Sequence, residues 1–164
     1  MIISSNDFGS SVLERLNDLE NRSNIKLSKY QKILLAEIGT VEMVLSLIVN
    51  SPIKVEVIKQ QRNTHGEYLR EVWLCDNEGK RLLHAASICY IDKIPSFTAV
   101  NEVTNGRIGI GSIIAKNNID STRVITNLGY DDSLKKLFRT YTINHADEIM
   151  FSISESFGID QFRD

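Results

Sequence analysis

The sequence predicts an α+β fold with a largely antiparallel sheet. Helical periodicity occupies the first fifty residues, period-2 alternation takes over from Ile53, and two pairs of alternating runs are joined by tight polar turns. The 164 residues, 42% of them hydrophobic, are enough for one good core and too few for two comfortable domains, so residues 1–164 are read as a single domain.

Phe8, Val12, Leu16 and Leu19 are spaced as the apolar stripe of a surface helix. "SKYQKILLAEIG" opens with Ser28 and Gln31 at capping-box spacing, carries Tyr30, Ile33, Leu34 and Ile38 on one face, and stops at Gly39. Thr40 can cap a further helix whose stripe is Val41, Val44, Leu45 and Ile48, with Pro52 beyond its end. Two helices therefore meet at Gly39-Thr40 with almost no loop. "IKVEVIKQQ" then alternates as a strand. "GEYLREVWLC" and "KRLLHAASICYI" form a hairpin around residues 76–79, and "STRVITNL" is a further strand. "FRTYTI" and "EIMFSISE" form a second hairpin around residues 144–147, whereas "NGRIGIGSII" is too rich in glycine for a regular strand.

Composition excludes several classes. Nineteen basic and twenty-one acidic residues give a formal charge of -2 with neither sign gathered into a block, so no nucleic-acid or membrane partner is expected. The N-terminus lacks a signal pattern and no apolar run approaches a membrane span, which points to a cytoplasmic protein. Cys75 and Cys89 are read as reduced, strand-buried thiols. His65, His84 and His145 form no metal-binding spacing, there is no GxSxG elbow, and Ser87 and Cys89 read as packing residues.

Three features break the pattern. Arg70 shares a strand face with Tyr68, Val72 and Leu74; it is either exposed, with Leu69, Trp73 and Cys75 forming the core face, or buried and in need of an anion. Glu155 follows Ile149, Phe151 and Ile153 on the apolar face of the last strand. It is either peeling into solvent or held under cover. Together the two residues suit a covered site for a small anion, or equally a plain buried salt bridge. Gly106, Gly109 and Gly111 either permit a bend or let backbone N–H groups converge on a ligand.

Taken in order, "KILLAEIGTVEMVLSLIVNSPIKVEVIKQ", "LREVWLC", "LHAASICYIDKIP", "GRIGIGSII" and "FSISESF" resemble the chorismate pyruvate-lyase family from about Leu27 to Gly158. Residues 1–26 lie outside the clear resemblance. The chain is more similar to the family's divergent branch, since it has no proline at the end of the "AASICYI" strand and has Gly39-Thr40 where the best-known bacterial lyases have bulkier residues. The resemblance implies one α+β domain whose helical flaps close over an internal pocket. It implies chorismate as substrate, 4-hydroxybenzoate and pyruvate as products, and no cofactor or metal. It places Arg70 as the substrate-carboxylate anchor, Glu155 as the acid/base beside the ring, and Thr40 and Ile110, the latter between Gly109 and Gly111, as backbone N–H donors to carboxylate oxygens.

Under that reading Glu155 faces Arg70 across the pocket, and oriented backbone dipoles hold the second carboxylate because no second arginine stands out on an apolar face. Two other functions remain open. One is a binding module, because the ligand-sensing domains of GntR-type repressors look like the same architecture. The other is a lyase for a related enolpyruvyl ether.

Overall fold

The computed structural model describes residues 9–164. Helix α1 (Ser10–Ser23) buries Leu16 and Leu19 and ends at Asn24, which is left-handed at φ 50°. Phe8, the first member of its expected stripe, lies outside the described residues. In α2 (Lys29–Ala36) the capping box forms as read: the Ser28 hydroxyl accepts from the Gln31 N–H at 3.1 Å, and the Gln31 side chain accepts from the Ser28 N–H at 3.0 Å. The buried face of α2 is Gln31, Leu34 and Leu35, while Ile33 and Ile38 are exposed. The expected stripe is thus rotated, because the Gln31 amide also donates to the Ile159 and Gln161 carbonyls at 2.7 and 2.8 Å and ties this face to the chain's C-terminal segment. Helix α3 (Val41–Val49) follows after four residues, with Thr40 as its N-cap and Val41 and Leu45 buried.

Six strands make one antiparallel sheet in the order β1-β2-β3-β6-β5-β4: β1 (Lys54–Arg62), β2 (Tyr68–Cys75), β3 (Arg81–Cys89), β4 (Thr122–Asp131), β5 (Lys136–His145) and β6 (Glu148–Gly158). The chain is therefore a single α+β domain. The β5–β6 hairpin turns on Ala146 and Asp147, at φ 47° and 64°, the two positive-φ positions that match the twist of a tight hairpin. Between β3 and β4 lie two helices that periodicity did not reveal, α4 (Phe97–Asn105) and α5 (Ile110–Lys116). Gly106, left-handed at φ 69°, closes α4, and Gly109 caps α5, so "NGRIGIGSII" is half loop and half helix.

The helices and one sheet face enclose the core, in which Leu16, Leu34, Leu45, Val103 and Ile113 pack with Leu74, Leu83, Leu137, Ile143 and Phe151. A register slip between Ile143 and Asn144 places a bulge opposite, turning Met150 inward and leaving Ile149 43% exposed. Ile149 is therefore not among the buried residues of β6, which are Met150, Phe151, Ile153, Glu155 and Phe157.

Candidate functional site

The central strand β3 turns small residues, Ala85 and Ser87, toward the helices. Its neighbours in register are Arg70 and Ile153 beside Ser87, and Val72 and Glu155 beside Ala85. Arg70 and Glu155 thus stand on one sheet face with one strand between them, and both are buried, each 3% exposed. The solvent-facing alternative for each is excluded by this burial. Small side chains between them leave a cavity of about 40 Å³, closed from above by Gly39, Val41 and Glu42 at the α2–α3 junction and by Gly109, Ile110 and Gly111 at the start of α5. That is room for ordered water only, since about 10–15 Å³ of such space already holds one molecule.

Arg70 is not paired with Glu155. One terminal nitrogen of its guanidinium donates to the Gly106 and Ile108 carbonyls at 3.1 and 2.7 Å, fastening the α4–α5 loop to the sheet. Its Nε is buried without a hydrogen-bond partner among the described residues. Burial pulls the Arg70 pKa below the ordinary arginine value, although Cys89 and Glu42 act in the opposite sense. A buried cation with an unused N–H is poised to take an anion.

The partner of Glu155 is Arg139, a residue the sequence reading missed. Arg139 Nε donates to Glu155 Oε2 at 2.7 Å, and the Tyr141 hydroxyl donates to Glu155 Oε1 at 2.7 Å. The same guanidinium donates to Glu37 Oε1 at 2.6 Å and to the Glu37 carbonyl at 2.5 Å, and lies 4.9 Å from the Tyr141 ring centroid. Burial works against the Arg139 cation, but Glu155, Tyr141 and Glu37 more than offset it and hold its pKa above the ordinary value. Burial first, then the Glu155 charge, pushes the Tyr141 phenol well above its usual pKa, so it serves as a hydrogen-bond donor. The expectation of a single arginine on the apolar faces is therefore corrected. Leu137, Arg139, Tyr141 and Ile143 alternate on β5 as Tyr68, Arg70, Val72 and Leu74 do on β2, and the same anomaly was there to be read.

Among the other expected positions, Gly109, Ile110 and Gly111 line the cavity, whereas Thr40 lies above Gly111: a Cβ placed on Gly111 would be 3.1 Å from Thr40 Cγ2. Gly109 has φ -68°, so conformational freedom does not explain its glycine; close approach does, because a Cβ there would lie 1.7 Å from Glu42 Oε1. Cys89 is buried, and burial pushes its thiol up to about 11, which makes it a packing group rather than a nucleophile. A larger hollow of about 470 Å³ lies on the sheet face away from the helices, where Lys59, Gln61 and Glu71 join threonine and serine hydroxyls of β4, β5 and β6 in its polar lining.

No protein-family model matches the chain. Among the described residues, no helix is long and apolar enough to cross a membrane. Over 145 residues the chain is 30% identical to the protein of Methanocaldococcus jannaschii named "Putative lyase MJ0807", a match covering 79% of this chain and 78% of that protein. At that identity and coverage, the chain belongs to the family of this archaeal protein.

Proposed function

We propose that the protein is a lyase that converts chorismate to 4-hydroxybenzoate and pyruvate without a cofactor. The observation that carries the reading is the placement of a buried, incompletely partnered Arg70 and a buried Glu155 on the walls of one small cavity under helical cover. The relative named as a lyase and the resemblance of the "LREV" strand, the Ile-Gly segment and the Glu155 strand support the reaction class.

Chorismate carries a ring carboxylate, a ring hydroxyl and an enolpyruvyl ether with a second carboxylate. Loss of the hydrogen from the hydroxyl-bearing carbon and expulsion of the enolpyruvyl group make the ring aromatic, which drives the reaction. In this scheme Arg70 Nε–H anchors a substrate carboxylate, and the backbone N–H groups of Thr40 and Ile110 hold the other. Glu155 takes the ring proton. Its orientation is fixed by Arg139 and Tyr141, so the base is placed before substrate arrives. Positioned proton transfer of this kind contributes about 10²- to 10⁴-fold. The present cavity is too small for an aromatic acid, so the α2–α3 junction and the start of α5 must part to admit substrate and release product.

A second reading is a binding module for aromatic acids, favoured by one observation: both oxygens of Glu155 are engaged, as in a purely structural carboxylate. Incubating purified protein with chorismate and assaying pyruvate separates the two. Enzyme-dependent pyruvate supports the lyase; retention of bound 4-hydroxybenzoate with no pyruvate release supports the binding module.

A further inference from the structure

The reaction proposed above needs two proton movements, and Glu155 accounts for one. We propose that Glu42 is a second catalytic residue of this pocket, the general acid that protonates the departing enolpyruvyl oxygen. This inference rests on the lyase reading and adds a residue to it.

Glu42 is the second residue of α3, and the helix start carries its side chain into the cavity that Arg70 and Glu155 also line. Its carboxyl group lies against the backbone at the start of α5. A Cβ on Gly109 would meet Oε1 at 1.7 Å, and one on Gly111 would meet Oε2 at 3.2 Å, so this carboxyl occupies space that only a glycine at 109 leaves free. The ionisable groups bearing on it come from every side: Glu155 of β6, Glu37 at the end of α2, Arg123 of β4 and Arg70 of β2. Unlike Glu155, it forms no ion pair among the described residues.

The two carboxyl groups therefore sit in contrasting surroundings. Glu155 has the Arg139 guanidinium at 2.7 Å and the Tyr141 hydroxyl at 2.7 Å. Burial above all, then the charges of Glu155 and Glu37, raises Glu42 above the ordinary carboxylate range against the pull of its own backbone N–H and Arg123. Paired carboxyls whose environments divide them in this way supply one base and one acid.

The step balances. The C–H bond at the hydroxyl-bearing ring carbon breaks, its proton passes to the Glu155 carboxylate, and its electron pair completes the aromatic ring. The ether C–O bond breaks with its pair going to oxygen, which takes the proton of Glu42. The products are 4-hydroxybenzoate and enolpyruvate, which ketonises to pyruvate; proton exchange then restores the two side chains. Because Glu42 rides on the flap helix, the acid reaches the substrate only when the pocket closes.

The test is chorismate turnover by wild type and Glu42→Gln across the acid-to-alkaline range, with 4-hydroxybenzoate affinity of both measured by calorimetry. The acid works only while protonated, so wild-type kcat should fall on the alkaline side. Glu42→Gln should lower kcat about 10²-fold, keep product affinity within about threefold, and show a residual rate without that alkaline fall. An active wild type with an unchanged Glu42→Gln kcat overturns the role of Glu42 alone. So does a slowed variant that keeps the alkaline fall or loses product affinity in proportion to its rate. A wild type that releases no pyruvate overturns the lyase reading, and this step with it.

Discussion

Arg139 Nε lies 2.7 Å from Glu155 Oε2, and the same guanidinium reaches Glu37 Oε1 at 2.6 Å, so one buried cation joins the last strand to the end of α2. Arg139→Met should leave two carboxylates under cover without their cation. Removing one partner of a buried pair costs about 3 to 5 kcal/mol. Glu155→Gln should cost less, because Arg139 keeps Glu37. Urea unfolding of both variants measures the difference, and equal midpoints for Arg139→Met and wild type would mean that the network carries no stability.

Arg70→Ala should weaken 4-hydroxybenzoate binding by about 2 to 5 kcal/mol, the cost of leaving a buried anion unpaired. It should also free the loop at Gly106–Ile108, whose carbonyls Arg70 holds. Calorimetry reads the first effect and amide exchange of the α4–α5 loop the second. Unchanged affinity with a loosened loop would make Arg70 a structural residue only.

Gly109→Ala tests close packing rather than backbone strain, since Gly109 has an ordinary φ of -68°. The added methyl would displace Glu42 Oε1, the free end of a flexible side chain, so stability should change little while Glu42 leaves its place. If Glu42 serves the chemistry from that place, Gly109→Ala should slow turnover toward the level of Glu42→Gln. A wild-type rate in Gly109→Ala would show that the position of Glu42 against α5 is immaterial.

Glu42 also gives a pH dependence that needs no substrate. Its folded pKa is raised, so between the ordinary carboxylate range and the raised value the folded state binds more protons than the unfolded state. Stability contributed by protonated Glu42 is therefore present at low pH and lost as pH rises through that window, the reverse of an ion-paired carboxylate. Glu42→Gln should remove this fall and equal or exceed wild-type stability at neutral pH. Thermal melts of both proteins across the window decide it; parallel curves would contradict the raised pKa.

The features legible in the sequence were those written as local chemistry. The Ser28–Gln31 box, the β2–β3 and β5–β6 hairpins, and the misfit of Arg70 and Glu155 with their strand faces each follow from a few neighbouring residues. What was missed depends on long-range contacts. Helices α4 and α5 are short and contain Thr, Asn and Gly, and they are held by partners elsewhere: Gln60 of β1 donates to the Thr104 carbonyl at 2.7 Å, and Arg70 holds the loop between them. The pairing of Glu155 with Arg139 follows from strand order, which places β5 rather than β2 beside β6. Glu42 was hidden as one polar residue at a helix start, the usual place for an acidic side chain.

The most direct test of the lyase reading is the simultaneous measurement of 4-hydroxybenzoate and pyruvate from purified protein and chorismate, with Glu155→Gln as control. The account predicts the two products in equal amounts, catalytic in protein, and a rate at least about 10²-fold lower in Glu155→Gln. Chorismate left unconsumed by the wild type, or turnover undiminished in Glu155→Gln, would contradict it.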